Sequence, residues 1–387
     1  MSPLSQGGIP TSTSGWTLVG TAPDDGSGAL VWNDELGLPE LGPTDVLVKL
    51  HAWALNYPDI SSKHPPSTHR PNPILTYLTA VANGTFPWSP ADHGKGSLIP
   101  GSDGAGEVLA VGSHVTRFKP TDRVIVVYYP NFPDGGAPTY AQMAGSPGSN
   151  KDSPGTFRHH GIFTEHGGLI RMPANLSYSE AVTLPCSALT AWNALHGLRA
   201  LKAGEYVLAQ GTGGVSLFAI LFALKAGAVV IATTSSEEKA RRLRGMGVQH
   251  VLNYREDPNW GETARKLTRD GLGCQRVIEV GGAQTIKQSF QCVARDGEID
   301  VIGFLTGQGH AEDGPTFLEP LLRACTVRGI EVGNWIQFQE MNRAIEAYDV
   351  RPVVDGGVFG FGELKEAYQY VWGQKHFGKV VLSDGQQ

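Results

Sequence analysis

The chain has 387 residues, 41% of them hydrophobic and 18% charged, with a net charge of −6 at neutral pH. That length accommodates two domains, and the composition is that of a soluble globular protein. The acidic balance argues against nucleic acid or an anionic membrane as a partner, and no apolar run approaches the ~20 residues of a membrane helix. Residues 1–14 lack the basic start and apolar core of a signal peptide. They read as a disordered tail, and a cytoplasmic location is expected. Cys186, Cys274, Cys292 and Cys325 fall at no metal-binding or disulfide spacing and read as reduced thiols.

From about residue 15 to 177 the pattern is strand-like, with strands expected at 46–50, 106–112 and 123–127. Glycine and proline turns between them suggest a compact, barrel-like β domain. Segments 61–97 and 131–155 break that regularity. Irregular connections of this length often act as binding loops, so at least one is expected to border a substrate pocket. From residue 205 strand and helix alternate. Strands are expected at 206–209, 228–233, 250–252, 276–280, 299–303 and 327–332. Helices are expected at 217–226, 237–246, 260–268, 285–293 and 318–324. This alternation implies a parallel sheet with helices on both faces. Helices at 337–348 and 362–370 and a last strand at 378–382 close the chain.

Between the first of these strands and its helix lies Gln210-Gly211-Thr212-Gly213-Gly214-Val215-Ser216. Glycines here permit a tight turn and let backbone approach a pyrophosphate, while the helix offers its free N–H groups and positive end. Ser216 replaces the third glycine of the fingerprint and is small enough to keep helix and strand close. The second strand ends Thr233-Thr234-Ser235-Ser236, with no acid to take a ribose 2′-hydroxyl. Small hydroxyls leave room for a 2′-phosphate, and Lys239 and Arg242 add positive charge nearby. The preferred cofactor is therefore NADPH. Glu238 is accounted for by a capping box with Ser235 as its N-cap.

Further motifs extend this reading. The run Pro100-Gly101-Ser102-Asp103-Gly104-Ala105-Gly106-Glu107-Val108, the segment Leu184-Pro185-Cys186-Ser187-Ala188-Leu189-Thr190, and the closing His376-Phe377-Gly378-Lys379-Val380-Val381 together resemble the medium-chain dehydrogenase/reductase superfamily. The resemblance runs from about residue 15 to 382 and points to its zinc-independent quinone oxidoreductase and enoyl reductase branches. It implies an α/β protein: a GroES-like β domain with an inserted Rossmann domain, a doubly wound parallel sheet. The expected division is a tail at 1–14, a GroES-like catalytic domain at 15–185, a Rossmann domain at 186–335 and a return to the catalytic domain at 336–387. It also implies a homo-oligomer, expected as a dimer, built on the edge strand at 326–332.

Zinc-dependent relatives hold their catalytic metal with a cysteine, a histidine and a second cysteine. In this chain the first position falls near Leu55-Asn56-Tyr57, and Ser102-Asp103 replaces the histidine motif. Cys186 alone remains, and one soft ligand does not hold zinc, so no metal is expected. The resemblance implies that Gly211, Thr212, Gly213, Gly214 and Val215 bind the pyrophosphate and that Thr190 touches the nicotinamide. Ser235, Lys239 and Tyr254 are expected at the 2′-phosphate or adenine, and Gly281 near the adenine. Phe304, Leu305, Phe377 and Lys379 are expected to flank the cofactor. Tyr57 would hydrogen-bond a developing enolate, with Asn56 orienting it. The leading expectation is an NADPH-dependent, metal-free oxidoreductase acting on a small-molecule enone or quinone. The length of 61–97 points to a bulky or specialised biosynthetic substrate. An alcohol dehydrogenase-like carbonyl reductase and a nucleotide-binding protein with a non-redox role remain open alternatives.

Overall fold

The structure is a computed structural model that describes residues 9–18, 30–56, 98–149, 152–306, 314–357 and 359–385. It divides into two units, one of Met1–Cys186, Asn334–Glu346 and Val354–Gln387, the other of Ser187–Gly333 and Ala347–Val353.

The first unit is β-rich. Strands β1 (Ser12–Leu18) and β2 (Leu30–Gly37) pair antiparallel. A seven-stranded sheet contains β3 (Asp45–Ala54), β4 (Asp103–Val111), β5 (Arg123–Val126), β6 (His160–Thr164) and β7 (Leu169–Arg171), joined by β14 (Phe359–Gly360) and β15 (Val381–Ser383). Residues Ser12 to Ser14, expected in a disordered tail, instead open β1. Their hydroxyls explain why, because Ser14 Oγ lies 2.8 Å from His159 Nδ1 and Thr13 Oγ1 accepts from the His160 N–H. β3 runs four residues beyond its expected end. The buried Trp53 anchors that extension by donating to Thr156 O at 2.7 Å and stacking on Phe361 at 3.7 Å. The irregular 131–155 segment contains a short helix, α1 (Tyr140–Ala144), started by a Thr139–Gln142 capping box. The last strand begins at Val381 rather than 378, because Gly378 takes a left-handed φ of +95° and turns the chain first.

The second unit is a parallel sheet in the order β10-β9-β8-β11-β12-β13. Its strands are β8 (Tyr206–Gln210), β9 (Val229–Thr234), β10 (His250–Asn253), β11 (Cys274–Glu279), β12 (Val293–Val301) and β13 (Thr326–Gly329). Helices α2 (Leu189–His196), α3 (Gly214–Lys225), α4 (Glu237–Gly245), α5 (Trp260–Lys266), α6 (Ile286–Cys292) and α7 (Glu319–Arg323) accompany them. Leu208, Ile231, Val277 and Ile299 fill the core between β8, β9, β11 and β12. β12 starts six residues before the expected 299, since Asp296, with φ +60°, and Gly297 absorb a register shift inside the strand. The strand order reverses between β8 and β11, which makes their carboxyl ends the topological switch point where ligands of such sheets bind. Among the described residues no helix is long and apolar enough to cross a membrane.

Candidate functional site

Three loops of the second unit meet at that switch point. The glycine turn leaves β8 with Gly211 at φ +77°, a conformation that L side chains rarely adopt. Its N–H donates to Thr233 O at 3.0 Å, tying the turn to the end of β9. Gly213 is the N-cap of α3 and no side chain caps that helix. A Cβ added at Gly211 or Gly213 would meet nothing within 4 Å, so the turn has open space beside it. Thr212 is buried, and Gly214 and Val215 form the half-buried first residues of α3. Ser216 does more than stay small, because its buried hydroxyl donates to Gln210 O at 2.6 Å and pins helix to strand.

The end of β9 carries one correction. Ser236, not Ser235, is the N-cap of α4, accepting from the Lys239 N–H at 3.2 Å. The strand continues to Thr234, whose carbonyl accepts from Tyr254 N at 3.1 Å, so the turn begins one residue later than expected. Glu238 is then the second residue of the helix and cannot complete a capping box. Ser235 is left half-buried between strand and cap, Lys239 is half-buried, and Tyr254 is exposed at the end of β10.

A polar cluster that sequence reasoning missed joins β8 to β11. Gln210 and Glu279 are the last residues of those strands and are almost fully buried. Gln210 Nε2 donates to Glu279 Oε2 at 2.7 Å and to Ser289 Oγ at 2.9 Å. Gln210 Oε1 accepts from the backbone of Val280 and Gly281 at 3.2 and 3.1 Å. Glu279 Oε1 accepts from Gly281 N, Gly282 N and Thr285 Oγ1, at 2.8, 2.9 and 2.5 Å, and Ser289 Oγ donates to Oε2. The Gly281 carbonyl in turn accepts from Thr306 N at 2.8 Å, which brings in the loop bearing the half-buried Phe304 and exposed Leu305. The sequence signal was available, since each of two apolar strands ends in a long polar residue. Thr190, also in this unit, is buried in the first turn of α2.

The first unit carries a second cluster. Lys379, 4% exposed, donates through Nζ to Leu55 O and Asn56 Oδ1, both at 2.6 Å, and lies 3.4 Å from Asp103 Oδ2. Asn56 Nδ2 donates to Ser102 Oγ at 3.0 Å, and Ser102 Oγ donates to Asp103 Oδ1 at 3.2 Å, closing a ring. Burial pushes the Asp103 carboxyl above its ordinary range, while Lys379, Asn56 and Ser102 pull it back down. Phe377 is buried nearby in sequence, its N–H held by Asp355 Oδ2 at 2.8 Å. Asn56 and Lys379 thus come together, whereas Tyr57 and segment 61–97 lie outside the described residues.

Comparison with known proteins agrees with both units. An alcohol dehydrogenase GroES-like domain matches residues 42–174, and a zinc-binding dehydrogenase domain matches residues 214–347. A zinc-type alcohol dehydrogenase-like protein of Schizosaccharomyces pombe is 41% identical over 353 residues, covering 90% of this chain and 94% of its own length. The chain belongs to the medium-chain dehydrogenase/reductase superfamily. A quinone oxidoreductase of Pseudomonas aeruginosa within this superfamily is 31% identical over 269 residues, covering 69% of this chain and 67% of its own. A solved protein of Sinorhizobium meliloti, an alcohol dehydrogenase by assignment, superimposes with a TM-score of 0.81 at 33% identity, covering 97% of this chain and 99% of its own. As a superfamily member the protein is an oxidoreductase, with a GroES-like first unit and a Rossmann-type second unit.

Proposed function

We propose that the protein is an NADPH-dependent, metal-free reductase that delivers hydride to a conjugated enone or a quinone. The observation that carries this reading is the buried ring around Lys379. Zinc at a catalytic site needs three protein ligands with lone pairs to give, usually thiolate or imidazole. The superfamily's first two ligand positions correspond here to the Leu55–Tyr57 region and to Ser102. Instead of a soft donor set, the neighbourhood holds an ammonium 2.6 Å from Asn56 Oδ1 and 3.4 Å from Asp103 Oδ2. A fixed positive charge of this kind repels a metal cation and already satisfies the carboxylate, so the residues present do not fit zinc. Without a Lewis acid the accessible electrophiles are those whose developing charge spreads onto a hydrogen-bonded oxygen, which enones and quinones provide. Likeness to a quinone oxidoreductase supports the same choice.

The second unit fits a dinucleotide. Gly211, Thr212, Gly213, Gly214 and Val215 would cradle the pyrophosphate against the uncapped start of α3. Ser235, Lys239 and Tyr254 surround a strand end that carries no acid, which suits the 2′-phosphate of NADPH. Gly281, Phe304, Leu305 and Thr190 would line the remaining length within the second unit. Bound NADPH would supply the hydride. Tyr57 would then donate a hydrogen bond to the substrate oxygen, with Asn56, held by Lys379, orienting it. The edge strand β13 and the apolar, exposed Phe317, Leu318, Leu321 and Leu322 suit a homodimer.

The test is consumption of NADPH and of NADH against a panel of enones, quinones and simple aldehydes. Faster turnover of enones or quinones with NADPH is expected, with Tyr57→Phe slowing it by ~100-fold. Preferred turnover of aldehydes would favour a carbonyl reductase, and absence of turnover across the panel would overturn the reductase reading.

A further inference from the structure

We propose that Gln210 and Glu279 form a clamp that positions the dinucleotide site by locking the glycine turn after β8 to the loop after β11. The proposal rests on the cofactor reading given above and adds residues outside the glycine fingerprint. Both side chains sit at the strand ends that flank the switch point, and both are buried, at 5% and 0% exposure. Their polarity is matched in one direction only. Gln210 Oε1 faces two backbone donors, Val280 N and Gly281 N, so its amide must turn Nε2 toward Glu279. Glu279 in turn receives five hydrogen bonds, from Gln210, Ser289, Thr285, Gly281 and Gly282. A carboxylate has about four lone-pair sites, which serve these donors because the Gly281 N–H is shared with Gln210 Oε1 and the Thr285 hydroxyl with Gly282 O, whereas a glutamine would offer an N–H where an acceptor is needed.

The clamp therefore explains why a buried negative charge stands beside a turn expected to receive an anion. Glu279 acts as an acceptor hub, saturated by neutral donors. Through the backbone of Gln210, which also accepts from Ser216 in the first turn of α3, the hub reaches the glycine turn. Through Gly281, which accepts from Thr306, it reaches the loop bearing Phe304 and Leu305. Three loops are held in one arrangement before the ligand arrives, so binding does not have to order them. Gln210 and Glu279 are positioning residues on this account. Their loss weakens cofactor affinity without touching the reacting atoms.

The experiment is NADPH titration by fluorescence on the full chain, with thermal unfolding of the unliganded protein measured in parallel. Gln210→Glu sets two carboxylates against each other, and Glu279→Gln sets donors against donors. Each is expected to weaken NADPH binding about tenfold. The double variant exchanges acid and amide, so each hydrogen bond along the pair keeps two partners with its direction reversed. It is expected to recover affinity to within about threefold of the unmodified chain, a rescue that general loss of stability would not produce. The clamp is overturned if the folded single variants bind NADPH within about twofold of the unmodified chain, or if the double variant binds no better than the weaker single. Should the single variants not fold, Thr285→Val removes one donor and keeps both side chains. A weakening of about threefold is then expected, and unchanged affinity overturns the clamp. Failure of the unmodified chain to bind NADPH would instead refute the cofactor reading, and the clamp with it.

Discussion

Lys379 and Asn56 lie 323 residues apart in the chain, yet one hydrogen bond joins them inside the buried ring with Ser102 and Asp103. Removing the ammonium leaves Asp103 buried with only neutral partners. Lys379→Met is therefore expected to lower stability by about 3 kcal/mol, softened by protonation of a carboxyl that burial already pushes upward. Urea unfolding checks this, and a loss below ~1 kcal/mol would contradict a functional ion pair. Gly213 separates folding from binding more cleanly. Its φ of −78° suits any residue, and a side chain there meets open space. Gly213→Val should leave the melting temperature nearly unchanged while weakening NADPH binding more than ~10-fold, because the added carbons fill the pyrophosphate's approach. Equal affinity would show that the turn does not hold the cofactor. The glycine turn was legible in the sequence because its residues are contiguous and their conformational needs are local. The rings around Lys379 and Glu279 were not, since each is assembled from strand ends and loops that only the folded chain brings together. The Ser235/Ser236 cap failed for a related reason. Either hydroxyl can cap, and the choice depends on how far pairing carries β9.

Among the elements, the alternation of strand and helix after residue 205 identified each strand of the parallel sheet, because buried parallel strands are near-continuous apolar runs. Boundaries were less readable where backbone conformation, not hydrophobicity, sets them, as at Asp296 in β12 and Gly378 before β15. The N-terminal strands β1 and β2, which pair with each other, were not placed individually because polar residues interrupt their apolar patterns. At the other end of the sheet, β13 has one ladder partner, β12, among the described residues. Beside it in sequence, α7 buries none of its side chains; Phe317, just before it, is 99% exposed and Leu321 within it 76%. A free edge with an adjoining apolar surface suits association with a second copy. Light scattering of the unmodified protein is expected to give a dimer, and Leu321→Asp with Leu322→Asp a monomer. A monomeric unmodified protein would contradict that assignment.

Across the whole molecule, pH links buried histidines to stability. Burial, and secondarily the charge of Arg276, lowers the His196 pKa to about 4. Burial likewise holds His51 and His160 below the ordinary value. These imidazoles are neutral at pH 7 in native and unfolded chains alike. As pH falls below about 6.5 the unfolded chain takes up protons that the native chain refuses, so stability drops until about pH 4, where native His196 also titrates. His196 alone should cost about 2 kcal/mol between pH 7 and pH 5. Urea unfolding of His196→Asn at both pH values should show a correspondingly smaller drop, and an equal drop would contradict the shift.

Membership of the medium-chain dehydrogenase/reductase superfamily makes the protein an oxidoreductase, and the proposed function depends most on metal independence. The most direct test is the zinc content of catalytically active protein, measured together with activity after exhaustive chelation. Substoichiometric zinc and full retained activity are expected, with Lys379 supplying the buried positive charge. One zinc per chain, whose removal abolishes turnover and whose return restores it, would contradict it.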